Sequence, residues 1–294
     1  MIHTSTSNSS NKSIFEFGLA LAQLFRLPVS LIAALAGFAT CDTLNPSLPQ
    51  GNAYRCATIL FCLTAAACAI NDYKDVDKDR INHPDRPLPA GRLSPSLAWW
   101  GAVILFALAL LTALSVGGPP GLLVGISIVL LWNYSHLLKY SGVLGNLVVA
   151  SLIALLILLG SMIAGQPFRM IYPTAFVFCY ALAREVVWDI HDAEGDRQEG
   201  VITVANGLGI QAAFKLVWVL VGMLLLSLPL ALSLLSLAHP LRFAGFVFLM
   251  LLSFALPLAF YQIEQSEVTY ERLVFCERLA MVLGVIGLLG AAPL

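Results

Sequence analysis

The sequence predicts an all-α, multi-pass membrane protein, and three observations carry that prediction. Hydrophobic residues make up 59% of the 294 and charged residues only 11%, and the mean hydropathy is +0.85. A soluble domain carries roughly 25% charge. The 16 Lys+Arg and 17 Asp+Glu present are too few to coat a water-facing surface. Apolar runs near the roughly 20 residues that cross a bilayer as helix recur nine times along the chain. The net charge of -1 excludes a basic nucleic-acid platform, and the sequence has none of the low-complexity tracts of a disordered chain.

In chain order, residues 1–13, MIHTSTSNSSNKS, lack the basic start and small-residue cleavage site of a signal peptide. They are expected to form a disordered cytoplasmic tail ahead of a single membrane domain over 14–294. The apolar runs cover about 16–40, 53–72, 96–116, 119–138, 143–163, 170–188, 211–234, 241–262 and 274–292. Turns such as Gly117-Gly118-Pro119-Pro120, or polar segments, separate them. Cys41, Cys56, Cys62, Cys68, Cys179 and Cys276 fall mostly inside these runs without a C-x-x-C pair, as small buried hydrophobes do.

Lysine and arginine orient the bundle, because cytoplasmic loops collect them. With the N-terminus inside, the inner side holds Lys12, Arg26, Lys74, Lys78, Arg80, Arg86, Arg92, Lys139, Arg184, Arg197, Lys215, Arg272 and Arg278. The outer side keeps only Arg55, Arg169 and Arg242. Trp99, Trp100, Trp132, Tyr134 and Trp188 fall near the inner helix ends, as an interfacial belt does.

The charges also cluster. Residues 71–92 hold five aspartates and five basic residues, and 184–199 hold eight further charges, each cluster closing an apolar helix on the cytoplasmic side. Inside them, Asp72, Asp75 and Asp79 are spaced i, i+3, i+7, and Asp189, Asp192 and Asp196 repeat that spacing 117 residues later. On an α-helix such spacing stacks three carboxylates on one face, where they repel one another unless a cation neutralises them. Magnesium takes oxygen ligands, commonly one or two carboxylates with substrate phosphates and water. Two matched stacks therefore suit Mg²⁺ ions that hold a diphosphate between two related helical halves.

The segments NDYKDVDKDRINHPDRPLPAGRLS and AREVVWDIHDAEGDRQEGVITVANGLG resemble the two Asp-rich signatures of the UbiA superfamily of intramembrane prenyltransferases, and NYSHLLKYSGVLGN matches as well. The resemblance covers nearly the whole chain. It implies nine transmembrane helices in two four-helix halves around a central cavity, with Mg²⁺ as cofactor and with an isoprenyl diphosphate and a lipophilic acceptor as partners in the bilayer. By that resemblance Asn71, Asp72, Asp75 and Asp79 form one metal-binding face, and Asp189, Asp192 and Asp196 the other. Arg86 and Lys139 resemble the bases that grip the diphosphate, and Tyr134 and Asn146 match positions near the pocket. The implied chemistry is ionisation of an allylic diphosphate, assisted by Mg²⁺ and the bases, and capture of the carbocation-like fragment away from water. Asp72, Asp75, Asp189, Asp192 and Lys139 are the implied catalytic set.

The motif wording is closer to the branch similar to geranylgeranylglycerol-phosphate geranylgeranyltransferases than to the 4-hydroxybenzoate branch. It implies a prenylated glycerol phosphate as acceptor, with aromatic, quinone or chlorophyll-type acceptors and membrane terpene cyclisation as alternatives. Two positions depart from the pattern. His191 stands where an acidic residue is usual, and Val29 replaces the Asn of the R-P-x-N stretch in which Arg26 meets an anionic acceptor. Asp77 and Lys78 lie off the Asp72/Asp75/Asp79 face and read as a solvated pair, and His136 as a polar loop residue. Arg184 and Glu185, one turn before the second motif, form a charged pair inside an apolar helix, which marks functional sites. A cation-coupled transporter is the rival class, but it would place its acids near the bilayer midplane rather than at helix ends.

Overall fold

The computed structural model describes residues 6–235 and 237–290, with the side chains among them except those of 6–13, 78, 81–82 and 134–140. The fold is all-α. Its helices are α1 (Thr6–Leu24), α2 (Leu27–Leu44), α3 (Gln50–Lys74), α4 (Val76–Asn82), α5 (Pro95–Val116), α6 (Gly118–Tyr140), α7 (Gly142–Ile163), α8 (Ile171–Gln198), α9 (Val204–Gly207), α10 (Ile210–Leu234), α11 (Pro240–Ile263) and α12 (Glu267–Leu288). Helix α1 begins inside the stretch expected as a tail, and residues 1–5 lie outside the described residues. Six helices, α2, α3, α5, α7, α10 and α11, are long and apolar enough to cross a membrane. Helices α6, α8 and α12 carry the remaining apolar runs, α8 and α12 with charges along them.

The first apolar run differs from expectation. A single helix over 16–40 is replaced by α1 and α2, broken at Arg26, which has φ 41° and ψ 53°. Pro28 in the first turn of α2 explains the break, since it has no N–H to bond the Leu24 carbonyl and its ring would clash with that carbonyl in a continuous helix. The break turns Arg26 toward Asp72 on α3.

Two apolar cores divide the chain. One joins α1, α2, α3, α5, α6 and α7 around Ile59, Leu60, Ile70, Phe106 and Leu159. The other joins α8 through α12 around Val186, Phe214, Phe254, Leu258 and Leu273. A third cluster, with Leu44, Ile157, Met170 and Leu288, fastens the two halves at the end opposite the Asp clusters. There α2 and α7 come close enough that a Cβ on Gly160 would lie 2.9 Å from Thr40, and Cys41 Sγ donates to the Gly160 carbonyl at 3.4 Å. Asn45 Nδ2 donates to the Ala164 carbonyl at 3.3 Å, and Gln166 Nε2 to that of Leu44 at 3.1 Å. Large apolar side chains such as Leu226, Leu241 and Ile263 point outward, the exterior that lipid rather than water stabilises.

Candidate functional site

The two Asp clusters lie on α3–α4 and on α8, one in each half. The first is not one continuous helix. Asp75, with φ -97° and ψ 13°, ends α3 and starts α4, so Asp72 sits on one helix and Asp79 on the next. The break lets Arg86, on the loop after α4, fold back on both. Its Nη1 donates to the Asp79 carboxylate at 2.7 and 2.8 Å and lies 3.7 Å from Asp72 Oδ1. Arg26 Nη2 reaches the same Asp72 oxygen at 3.6 Å. Asp72 and Asp79 are each 3% exposed, so two guanidinium groups compensate two buried carboxylates. Neither arginine completes a hydrogen bond to Asp72 Oδ1, however, and Asn71 Oδ1 is likewise buried without a donor. The polar His83 imidazole, on the same loop, is held below its ordinary pKa chiefly by burial and next by Arg86.

The second cluster stays on unbroken α8. Asn146, 3% exposed on α7, donates from Nδ2 to Asp189 Oδ2 at 2.6 Å. A tight junction one turn earlier positions it. The Gly142 N–H donates to the Ile202 carbonyl at 3.0 Å, and a Cβ on Gly142 would come within 2.5 Å of Thr203 Cγ2. Thr203 is fixed by a reciprocal capping box with Asn206 at the start of α9. Asn146, matched by resemblance to the pocket, is therefore found holding an aspartate. His191 stacks on Tyr270 of α12, ring centroids 3.5 Å apart and 6° from parallel, with Nε2 3.7 Å from Glu267 Oε2.

Other expected residues fall as follows. Asp77 pairs with Arg80 at 2.6 Å on the exposed side of α4, and the Lys78 side chain lies outside the described residues. Lys139, Tyr134 and His136 lie on α6 where side chains are not described. Lys74 donates to the Trp132 carbonyl and sits 5.6 Å over the Trp132 ring. Asp75, Asp192 and Asp196 are each engaged in an interaction of their own. Sequence reasoning missed Glu277, an acid inside the apolar run of α12, which binds Arg184 Nε at 2.8 Å. The signal was present, because Glu277 falls inside the apolar run 274–292, and an ionisable residue there is a functional candidate.

Among the described residues no three His, Cys, Asp or Glu side chains converge on one ion position. Magnesium bound with substrate phosphate and water needs only one or two protein carboxylates. The buried, donor-free Asn71 Oδ1 and Asp72 Oδ1 are the hard oxygen ligands such an ion takes.

Residues 30–289 match the UbiA prenyltransferase family. The chain belongs to that family. It is 34% identical over 279 residues to the digeranylgeranylglyceryl phosphate synthase of Ignicoccus hospitalis, covering 92% of this chain and 90% of that relative. With the enzyme of the same name from Sulfolobus acidocaldarius it shares 36% over 173 residues, which is 58% of this chain and 63% of the relative. The chain thus spans less than two thirds of the Sulfolobus protein. A solved digeranylgeranylglyceryl phosphate synthase has the same fold, with a TM-score of 0.68 at 22% identity over 94% of this chain and 99% of that one. So does a UbiA homolog from Archaeoglobus fulgidus bound to GPP and Mg2+, with a TM-score of 0.67 at 18% identity over 91% and 99%.

Proposed function

We propose that this UbiA family member is a Mg²⁺-dependent prenyltransferase that ionises an isoprenyl diphosphate and transfers the prenyl group to the hydroxyl of a prenylated glycerol phosphate. The observation that carries the reading is the pair of Asp clusters at one end of the bundle, one of them offering buried oxygens without donors beside Arg26 and Arg86. The Ignicoccus and Sulfolobus relatives support the acceptor class, and the homolog bound to GPP and Mg2+ supports the donor and the ion.

Asn71, Asp72 and Asp75 on one half and Asp189, Asp192 and Asp196 on the other hold the metal ions, which when bound neutralise the diphosphate as it leaves. Arg86 holds Asp79 in place and adds positive charge beside the leaving group. Asn146 fixes the rotamer of Asp189, as the outer partners of metal ligands do. The apolar walls of the bundle keep water from the carbocation-like fragment. The Lys and Arg distribution supports a cytoplasmic N-terminus and cytoplasmic Asp clusters.

The test is diphosphate release from geranylgeranyl diphosphate by purified protein with Mg²⁺, with and without geranylgeranylglyceryl phosphate. Acceptor-stimulated release with an ether product is the expected result. Release without acceptor, yielding a hydrocarbon, would replace the reading with a cyclase. No release from any allylic diphosphate would sink both.

A further inference from the structure

Joining a prenyl group to a hydroxyl frees a proton as well as diphosphate, and the proposed metal-binding carboxylates are committed to cations. A different carboxylate is poised for the proton. Glu185 precedes Asp189 by four residues on α8, so it shares that helix face one turn farther from the helix end. It is 7% exposed, and its Oε1 accepts no hydrogen bond.

Cations from two helices lie close to it. Arg184 Nη2 lies 3.3 Å from Glu185 Oε1, while the same guanidinium binds Glu277 through Nε at 2.8 Å and packs 4.8 Å over the Trp188 ring. One arginine thus serves two glutamates. Arg26, at the α1–α2 break, lies within electrostatic reach of Glu185 and pairs with Asp72 at 3.6 Å. Glu185 is therefore flanked by a cation from each half, beside Asp189 of the second cluster. Glu277 is engaged by the Nε contact. Tyr180 also has a buried hydroxyl without a partner, but a neutral phenol is a far weaker proton acceptor than a carboxylate.

We infer that Glu185 is the general base that accepts the acceptor's hydroxyl proton, an inference that rests on the transferase reading above. In the step, the prenyl C1–O bond breaks and its electron pair leaves on diphosphate. A lone pair of the acceptor oxygen forms the new C1–O ether bond. The O–H proton passes to Glu185 Oε1, and its bonding pair stays on the ether oxygen. Nothing is oxidised or reduced. A buried carboxylate oxygen lacking a donor is unfavourable alone, and the arriving hydroxyl supplies the missing donor.

The experiment compares wild type, Glu185→Gln, Glu185→Asp and Glu277→Gln with geranylgeranyl diphosphate and Mg²⁺, with and without geranylgeranylglyceryl phosphate. General-base removal costs about 100-fold or more, so Glu185→Gln is expected to lose acceptor-dependent transfer by that factor. It should retain the slow acceptor-free release of diphosphate and the donor's thermal-shift binding. Glu185→Asp restores part of the transfer. Glu277→Gln lowers the melting temperature but leaves the ratio of acceptor-dependent to acceptor-free release unchanged, separating proton transfer from helix fastening. Near-normal transfer by Glu185→Gln overturns the inference, as does an equal loss of both activities. If wild type releases diphosphate but transfers to no hydroxyl, the transferase reading itself falls, and the inference with it.

Discussion

The two Asp clusters share one spacing and differ in almost everything built around it. On α3–α4 the helix breaks at Asp75, and the arginines Arg26 and Arg86 close on Asp72 and Asp79. On α8 the helix runs on, and Asp189 takes a neutral amide from Asn146. Charge compensation of Asp72 and Asp79 is thus internal to the first half, whereas the partner described for Asp189 is a neutral amide. Equal spacing in sequence does not make equal sites, because the bundle supplies each cluster with different partners.

The largest effect that would break this comparison is an asymmetry between Asp72→Asn and Asp189→Asn. Removing a charge-stabilising group from a preorganised site costs about 10²- to 10³-fold in rate, and both variants are expected to fall at least that far. Titrating Mg²⁺ against each separates them. Asp189→Asn should need more Mg²⁺ for half-maximal rate, while Asp72→Asn, whose arginines are freed, should bind the anionic donor with little loss in KM. Identical Mg²⁺ curves for the two would show that the clusters contribute equivalently.

Next in size are the groups that hold the aspartates. Arg86→Ala leaves Asp79 buried without its cation, and activity is expected to fall about 100-fold with a raised KM for the diphosphate donor. Asn146→Ala removes only a neutral partner, and the loss of a metal ligand's outer hydrogen bond costs about 10- to 100-fold in metal affinity or activity. Steady-state kinetics at saturating and limiting Mg²⁺ should place Asn146→Ala nearer the low figure, rescued by added Mg²⁺, and Arg86→Ala not rescued.

Part of this was legible in the sequence. The helical class, the membrane location and both Asp trios follow from hydropathy and spacing, which local sequence dictates. What was not legible depends on contacts between distant segments. The break at Arg26, with Pro28 just after it, looked like part of one apolar run. Asn146 was legible only as a position near the pocket, and its bond to Asp189 was not, because the Gly142–Thr203 junction sets the α7 register. The Arg184–Glu277 pair joins residues 93 positions apart, and no local pattern announces its partner.

That junction is open to a stability test that bears on the second cluster alone. A methyl on Gly142 would meet Thr203 Cγ2 at 2.5 Å and the Ile202 carbonyl at 3.1 Å. Overpacking of that kind costs about 1–3 kcal/mol, so Gly142→Ala should lower the melting temperature in detergent. If the junction also aims Asn146, the variant loses activity through Mg²⁺ affinity, and paired melting and Mg²⁺ titrations reveal whether the two effects travel together.

The smallest effect tests the limits of the first cluster. Asp77 and Arg80 form a 2.6 Å pair, yet their side chains are 86% and 64% exposed. Exposed pairs contribute about 0–1 kcal/mol, screened further by salt. Arg80→Ala should therefore leave both the melting temperature and the Mg²⁺ dependence close to wild type, although Asp77 stands between Asp75 and Asp79 in sequence. A loss of activity comparable to Arg86→Ala would mean that Arg80 reaches the site, and that the first cluster draws on three arginines rather than two. The contrast with Asp189 would then be sharper still, since the same spacing of aspartates would carry even more built-in positive charge in one half than in the other.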